Sequence, residues 1–252
     1  MRRECSRAGI CHSDDMSTAP AQGKPGSPPE RVKARVAGSL FAVGALQWVF
    51  CVLIAEGLHP GFTPPADQWI PYSSQMHYVS ELGVGSTALI FNLSTIVLGL
   101  AIICASVLSY LVRRAKLLTA CLLLAGIGAV GVGVFSTEVQ PTHGIFQALA
   151  LLLGALAAII SFRRADAPLS YVSALLGVIS LACAIAFYRY LGLGANDMST
   201  FAGLGKGVME RLVIYPIILW LIGYGYQTAH APLPERPRRD LRGRVSGRAA
   251  GG

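Results

Sequence analysis

Charge is scarce in this sequence. Asp, Glu, Lys and Arg make up 13% of its 252 residues while hydrophobic types make up 53%, and an ordinary soluble domain carries about 25% charged residues. With a mean hydropathy of +0.54, the chain reads as an integral membrane protein. No cleavable signal peptide is expected, because no basic n-region runs directly into an apolar stretch. Nor is a disulfide framework: Cys5 and Cys11 lie in the N-terminal tail, Cys51, Cys104, Cys121 and Cys183 in apolar segments, and none in a predicted outer loop. The four within apolar segments read as small buried hydrophobes. Cys5, Cys11 and His12 lack the second ligand pair that a structural metal site needs. The net charge of +8 does not point to nucleic acid, since the basic residues flank apolar runs as the positive-inside rule expects.

Six apolar segments are present, at about 36–56, 86–112, 117–136, 145–162, 169–189 and 207–227. Each is near the roughly 20 residues that cross about 30 Å of hydrocarbon. The expected fold is therefore an all-α, polytopic six-transmembrane-helix bundle over 36–228. Residues 1–35 and the basic 229–252 read as disordered cytoplasmic tails, rich in Pro, Gly, Ser and mixed charge. Met16, followed by Ser-Thr-Ala-Pro, is an expected alternative start. All but Arg189, Lys206 and Arg211 of the 21 basic residues fall on one side of the bundle when loops alternate. That asymmetry puts both termini in the cytoplasm of a cell whose plasma membrane the chain crosses. Small residues at spacing four, Ala125, Ala129 and Gly133 in the third helix and Gly154 and Ala158 in the fourth, predict ridges of close backbone approach.

The charges that remain inside apolar sequence are the informative ones. Each costs roughly 2.5–3.5 kcal/mol at mid-bilayer, yet Glu210-Arg211 opens the last segment, in Glu210-Arg211-Leu212-Val213-Ile214-Tyr215-Pro216. Adjacent helical positions point about 100° apart, so the pair is not self-contained and each member needs its own partner. Arg211 shares a face with Tyr215 and is expected to reach Glu81 or Glu138. Alternation puts Glu56, His59, His77, Ser80, Glu81, Glu138, His143, Glu210 and Arg211 at one depth, with Asn92 two turns into the second helix. Trp69 and Tyr72 suit the headgroup level.

Competing readings of this polar layer stay open. In one, the loops are simply solvated and Arg211 pairs with a glutamate to hold the bundle together. In a second, His77, Glu81, Glu138 and His143 converge as metal ligands or as acid and base, with zinc as the implied ion and a lipid hydrolase or transferase as the implied enzyme. No HExxH or other tight ligand spacing supports it. In a third, the layer binds a lipid-like or small polar ligand without chemistry, with Asn92, Glu210, Arg211 and Tyr215 forming the polar network. Ion transport ranks last, because the third and fourth segments offer almost no ionisable residue below that layer.

Four motifs together carry a resemblance: Tyr78-Val79-Ser80-Glu81-Leu82-Gly83; Ile90-Phe91-Asn92; Gly131-Val132-Gly133-Val134-Phe135 leading to Glu138 and His143; and Glu210 to Pro216. In that order they resemble the prokaryotic membrane proteins of the domain of unknown function 998 family, over about residues 36–226. The position of Glu81 is commonly aspartate in that family, so this chain keeps the carboxylate with one more methylene. The resemblance implies a six-helix integral membrane protein and supplies no reaction. The histidine-rich layer is a more distant likeness to seven-helix zinc hydrolases of the ceramidase and adiponectin-receptor type, whose paired His-x-x-x-His is absent here.

Overall fold

The structure, a computed structural model, describes residues 27–61, 70–192, 200–201 and 203–233. Six helices carry the fold: α1 (Pro28–Leu58), α2 (Ala88–Arg113), α3 (Lys116–Val134), α4 (Thr142–Ser161), α5 (Leu169–Gly192) and α6 (Lys206–His230). Each contains a stretch long and apolar enough to cross a membrane, so the chain is a multi-pass membrane protein. The proposed start at Met16, the metal reading of Cys5 and Cys11, Trp69 and most of both tails lie outside the described residues.

One boundary differs clearly from expectation. α1 begins at Pro28, eight residues before the expected segment, so residues 28–35 are helical rather than tail. Local capping explains it. Glu30 and Arg31 donate their amides to Ser27 O at 2.9 and 3.1 Å, the Glu30 carboxylate accepts the Ser27 amide at 3.1 Å, and two prolines occupy the first turn, where no amide is needed.

Each helix packs against the next in sequence, and α6 closes the ring against α1. Backbone approach is tightest at glycines. A Cβ on Gly225 would stand 2.6 Å from Gly38 O on α1, and one on Gly99 would stand 2.6 Å from Gly126 O on α3. Those seams let backbones touch where side-chain packing, not water exclusion, drives association. Of the ridge expected on α3, Gly133 does meet α2, against Asn92 O. Ala125 and Ala129 instead face a cavity at the centre of the ring. Gly154 of α4 packs on Ile217 of α6.

Two buried indoles are paired between helices, as a medium without water favours. Trp48 donates its indole N–H to Thr95 Oγ1 at 3.0 Å, and Trp220 donates to Ser161 Oγ at 2.9 Å. Pro216 lies inside α6 and supplies no amide to the Leu212 carbonyl. One residue further on, Val213 O accepts the Ser180 hydroxyl from α5 at 2.7 Å.

Between α1 and α2 the chain ends in two short 3₁₀ turns, Val79–Gly83 and Gly85–Thr87. Before α6, Thr200–Phe201 pairs antiparallel with Leu204–Gly205. These segments, the start of α4 and the end of α5 meet at the end of the bundle where α1 finishes. The opposite end carries the α2–α3 and α4–α5 connections with Arg113, Arg114, Lys116, Arg163 and Arg164.

Candidate functional site

Glu210 and Arg211 start the second turn of α6 and point to different neighbours. Glu210 is fully buried, at 0% exposure. Its Oε2 accepts the Val79 amide and, at 3.4 Å, the Ser80 amide, the first two amides of the 3₁₀ turn Val79–Gly83. Its Oε1 accepts Gln147 Nε2 of α4 at 2.7 Å. A buried carboxylate is thus held by three N–H donors, joined by the Ser80 hydroxyl, rather than by an ion pair with a cation.

Arg211 does the complementary task for the preceding turn. Nη1 donates to the carbonyls of Ser74 at 2.6 Å, His77 at 3.0 Å and Gly207 at 3.0 Å. Nη2 donates to Glu56 Oε1 and to Tyr72 Oη at 2.6 Å, and Tyr215 also reaches the guanidinium. The partner carboxylate is Glu56 at the end of α1, not Glu81 or Glu138 as the sequence suggested. The reason lies in the chain path. Ser74 and His77 carbonyls sit over Gly207, where a side chain would not fit, so the first turn of α6 runs directly beneath residues 72–77 and beside the end of α1.

Burial holds the Tyr72 phenol above its ordinary range although Arg211 opposes the shift, so its proton stays available to Glu56 Oε1 at 3.4 Å. The Tyr72 ring is stacked on His77, with centroids 5.6 Å apart, and lies 5.1 Å from His59. Burial first and the charge of His77 second lower the pKa of His59 from 6.5.

Glu81 finds a different cation, Lys206 Nζ at 2.9 Å, which also sits 4.5 Å over the Tyr78 ring. Its second oxygen accepts the Tyr78 amide at 3.1 Å. Asn92 closes the far end of the same turn, donating to Gly83 O at 3.0 Å. Gly83 lets Asn92 approach closely, since a Cβ there would stand 2.6 Å from Asn92 Oδ1 and push that side chain aside.

Two cavities flank this framework. The first, about 470 Å³, is lined by Tyr78, Ser80, Glu81, Thr137, Gln140, His143, Gly144, Gln147, Phe187 and Tyr188. The second, about 90 Å³, runs down the centre of the ring among apolar residues of α1, α2, α3, α4 and α6, with Glu210 at its polar end. Ser80 and Gln147 line both and form the partition between them.

His143 is 2% exposed and its Nδ1 lies 2.7 Å from Phe135 O. A carbonyl only accepts, so Nδ1 carries the proton and a neutral ring presents a lone pair at Nε2. That Nε2 and the Tyr188 hydroxyl are buried with no hydrogen-bond partner among the described residues.

Of the four residues expected to converge, Glu81 and His143 line one cavity and His77 and Glu138 do not. Glu138 is exposed, and His77 Nδ1 accepts the Ser73 amide at 3.0 Å. Among the described residues no three His, Cys, Asp or Glu side chains group as metal ligands. Gln147, Lys206 and Tyr188 escaped the sequence reading. Gln147 had a signal, as the amide one helical turn beyond His143 in an otherwise apolar helix; Tyr188 had none in an apolar, aromatic-containing segment.

The four motifs that were separate in sequence are joined here through Glu210, Asn92, Arg211 and His143. The model of the family described as Protein of unknown function (DUF998) matches residues 42–226. The chain belongs to that family. The DUF998 match reaches into all six helices and includes every residue named along either cavity. No curated protein and no solved structure matches the chain.

Proposed function

We propose that the cavity beneath the Val79–Gly83 turn faces the outside of a prokaryotic plasma membrane and binds a lipid-like or small polar ligand. The observation that carries this reading is the pair of buried, unpartnered polar atoms on its wall, His143 Nε2 and Tyr188 Oη. A buried polar group without a partner costs about 1–3 kcal/mol. Two on one wall of a roomy cavity are groups that a bound molecule satisfies. The volume of about 470 Å³ falls inside the roughly 300–1,000 Å³ of small-molecule sites. The adjoining apolar cavity, reached past Ser80 and Gln147, supports a ligand with both polar and apolar parts.

Orientation rests on the basic residues at the opposite end, which the positive-inside rule assigns to the cytoplasm. Arg211 is not a ligand-binding group in this reading, since it lines neither cavity and its Nη1 and Nη2 donors are committed to Glu56, Tyr72 and three carbonyls.

Filling the cavity tests the proposal. Gly144 lines it, and a Cβ there would meet only the flexible end of Gln140 at 3.3 Å. Protein extracted gently from the membrane is expected to retain a bound molecule in native mass spectrometry, and Gly144→Leu is expected to lose it while keeping the wild-type melting temperature. Identical bound species on both proteins would remove the cavity as their site.

A further inference from the structure

The walls of the cavity also state what kind of headgroup fits, an inference that rests on the ligand site just proposed. Consider charge first. Glu81 brings a carboxylate to the lining, and Lys206 neutralises it at 2.9 Å without itself lining the cavity. Among the described residues the lining contains no Arg or Lys, so a phosphate or sulfate would meet a carboxylate and no cation there. An ammonium ligand fares no better. The cationic place over the Tyr78 ring is filled by Lys206 at 4.5 Å, and a second positive charge would sit beside it.

Hydrogen-bond polarity narrows the class further. His143 Nε2 presents only a lone pair, because Nδ1 is the donor to Phe135 O. Gln147 gives one of its two amide N–H groups to Glu210 and keeps its carbonyl oxygen as an acceptor and its second N–H as a donor. Tyr188, Ser80 and Thr137 contribute hydroxyls, which donate or accept. Such a wall interleaves acceptors with groups that both donate and accept, and suits an uncharged ligand whose own groups do both, as hydroxyls do. Tyr78, Phe187 and Tyr188 add aromatic surface, which suits the C–H faces of a sugar ring.

We infer that the cavity recognises the neutral polyhydroxylated ring of a sugar, with His143 Nε2 accepting from one ligand hydroxyl and Tyr188 Oη bonding a second. The same chemistry occurs on a glycolipid headgroup and on a free sugar.

The test uses the full chain, purified in a detergent without a sugar headgroup and reconstituted in phosphatidylcholine nanodiscs. Three probes are compared by native mass spectrometry and thermal shift: a monoglycosyl diacylglycerol, its free monosaccharide, and phosphatidylglycerol as the anionic control. Binding of the glycolipid, alone or with the free sugar, at least tenfold tighter than phosphatidylglycerol is the expected result. Tyr188→Phe should weaken it about fivefold, the worth of one hydrogen bond, and His143→Phe at least as much. If His143→Phe fails to fold, Tyr188→Phe alone carries the test. Free sugar binding without the glycolipid still supports the class and makes a soluble sugar the source. Preferential, Tyr188-dependent binding of phosphatidylglycerol would overturn the sugar inference and keep the ligand site. No probe binding, with Gly144→Leu carrying the same native species as wild type, would overturn both.

Discussion

Gln147 Nε2 of α4 donates to Glu210 Oε1 of α6 at 2.7 Å, and the two side chains stand where the polar and apolar cavities adjoin. Gln147→Leu leaves one oxygen of a fully buried carboxylate without a donor. The expected loss is about 1–3 kcal/mol, read as a lower melting temperature in detergent. Gln147→Glu should cost more, because it sets a second carboxylate against Glu210. Equal melting temperatures for wild type and both variants would mean that this bond holds nothing together.

Arg211 and Glu56 join the end of α1 to the start of α6 through a pair whose side chains are 9% and 18% exposed. Removing one member of a buried pair typically costs about 3–5 kcal/mol, since the other charge is left alone. Arg211→Ala also orphans the Ser74 and His77 carbonyls and should abolish or severely reduce folded protein. Glu56→Gln keeps an acceptor for Nη2 and should be milder. Arg211→Lys should not rescue fully, because one ammonium cannot span five acceptors. Fluorescence-detected size exclusion orders the three, and a reversed order would contradict the hub.

The His59–Tyr72–His77 stack makes the same end of the bundle sensitive to acid. Burial and the charge of His77 depress the His59 pKa below 6.5 in the folded protein, so the unfolded chain binds that proton more readily. Stability is then full above about pH 6.5 and declines as pH falls through and below that value. Melting temperatures between pH 8 and pH 5 should show the decline, with a shallower slope in His59→Gln. An unchanged slope in that variant would place the acid sensitivity elsewhere.

Orientation has its own measurement. A single cysteine at Gln140, in a protein whose native cysteines are replaced, should react with a membrane-impermeant thiol reagent on intact cells. Labelling only after lysis would turn the cavity to the cytoplasm.

The fold was legible in the sequence because lipid permits few solutions: six apolar runs of spanning length had to be helices, and they are. The start of α1 was hidden, since Ser27, Pro28 and Glu30 make a capping signal inside a stretch whose composition reads as tail. The need of Glu210 and Arg211 for separate partners was also legible, from the angle between adjacent helical positions. Their partners were not. Glu210 is held by backbone amides and Gln147, none of which carries charge, and Arg211 chose Glu56 because Gly207 lets residues 74–77 lie on α6. Glu81 and His143, of the four residues expected to converge, line one cavity, and His77 and Glu138 do not. Depth follows from counting residues, but azimuth around the ring follows from packing.

The central claim is that His143 Nε2 and Tyr188 Oη await a ligand. An experimental structure in native lipid, at a resolution that shows ordered water, tests it most directly. The account predicts continuous non-protein density in the cavity, with atoms at about 2.7–3.2 Å from both groups. A cavity closed by side chains, with both atoms bonded within the protein, would contradict it.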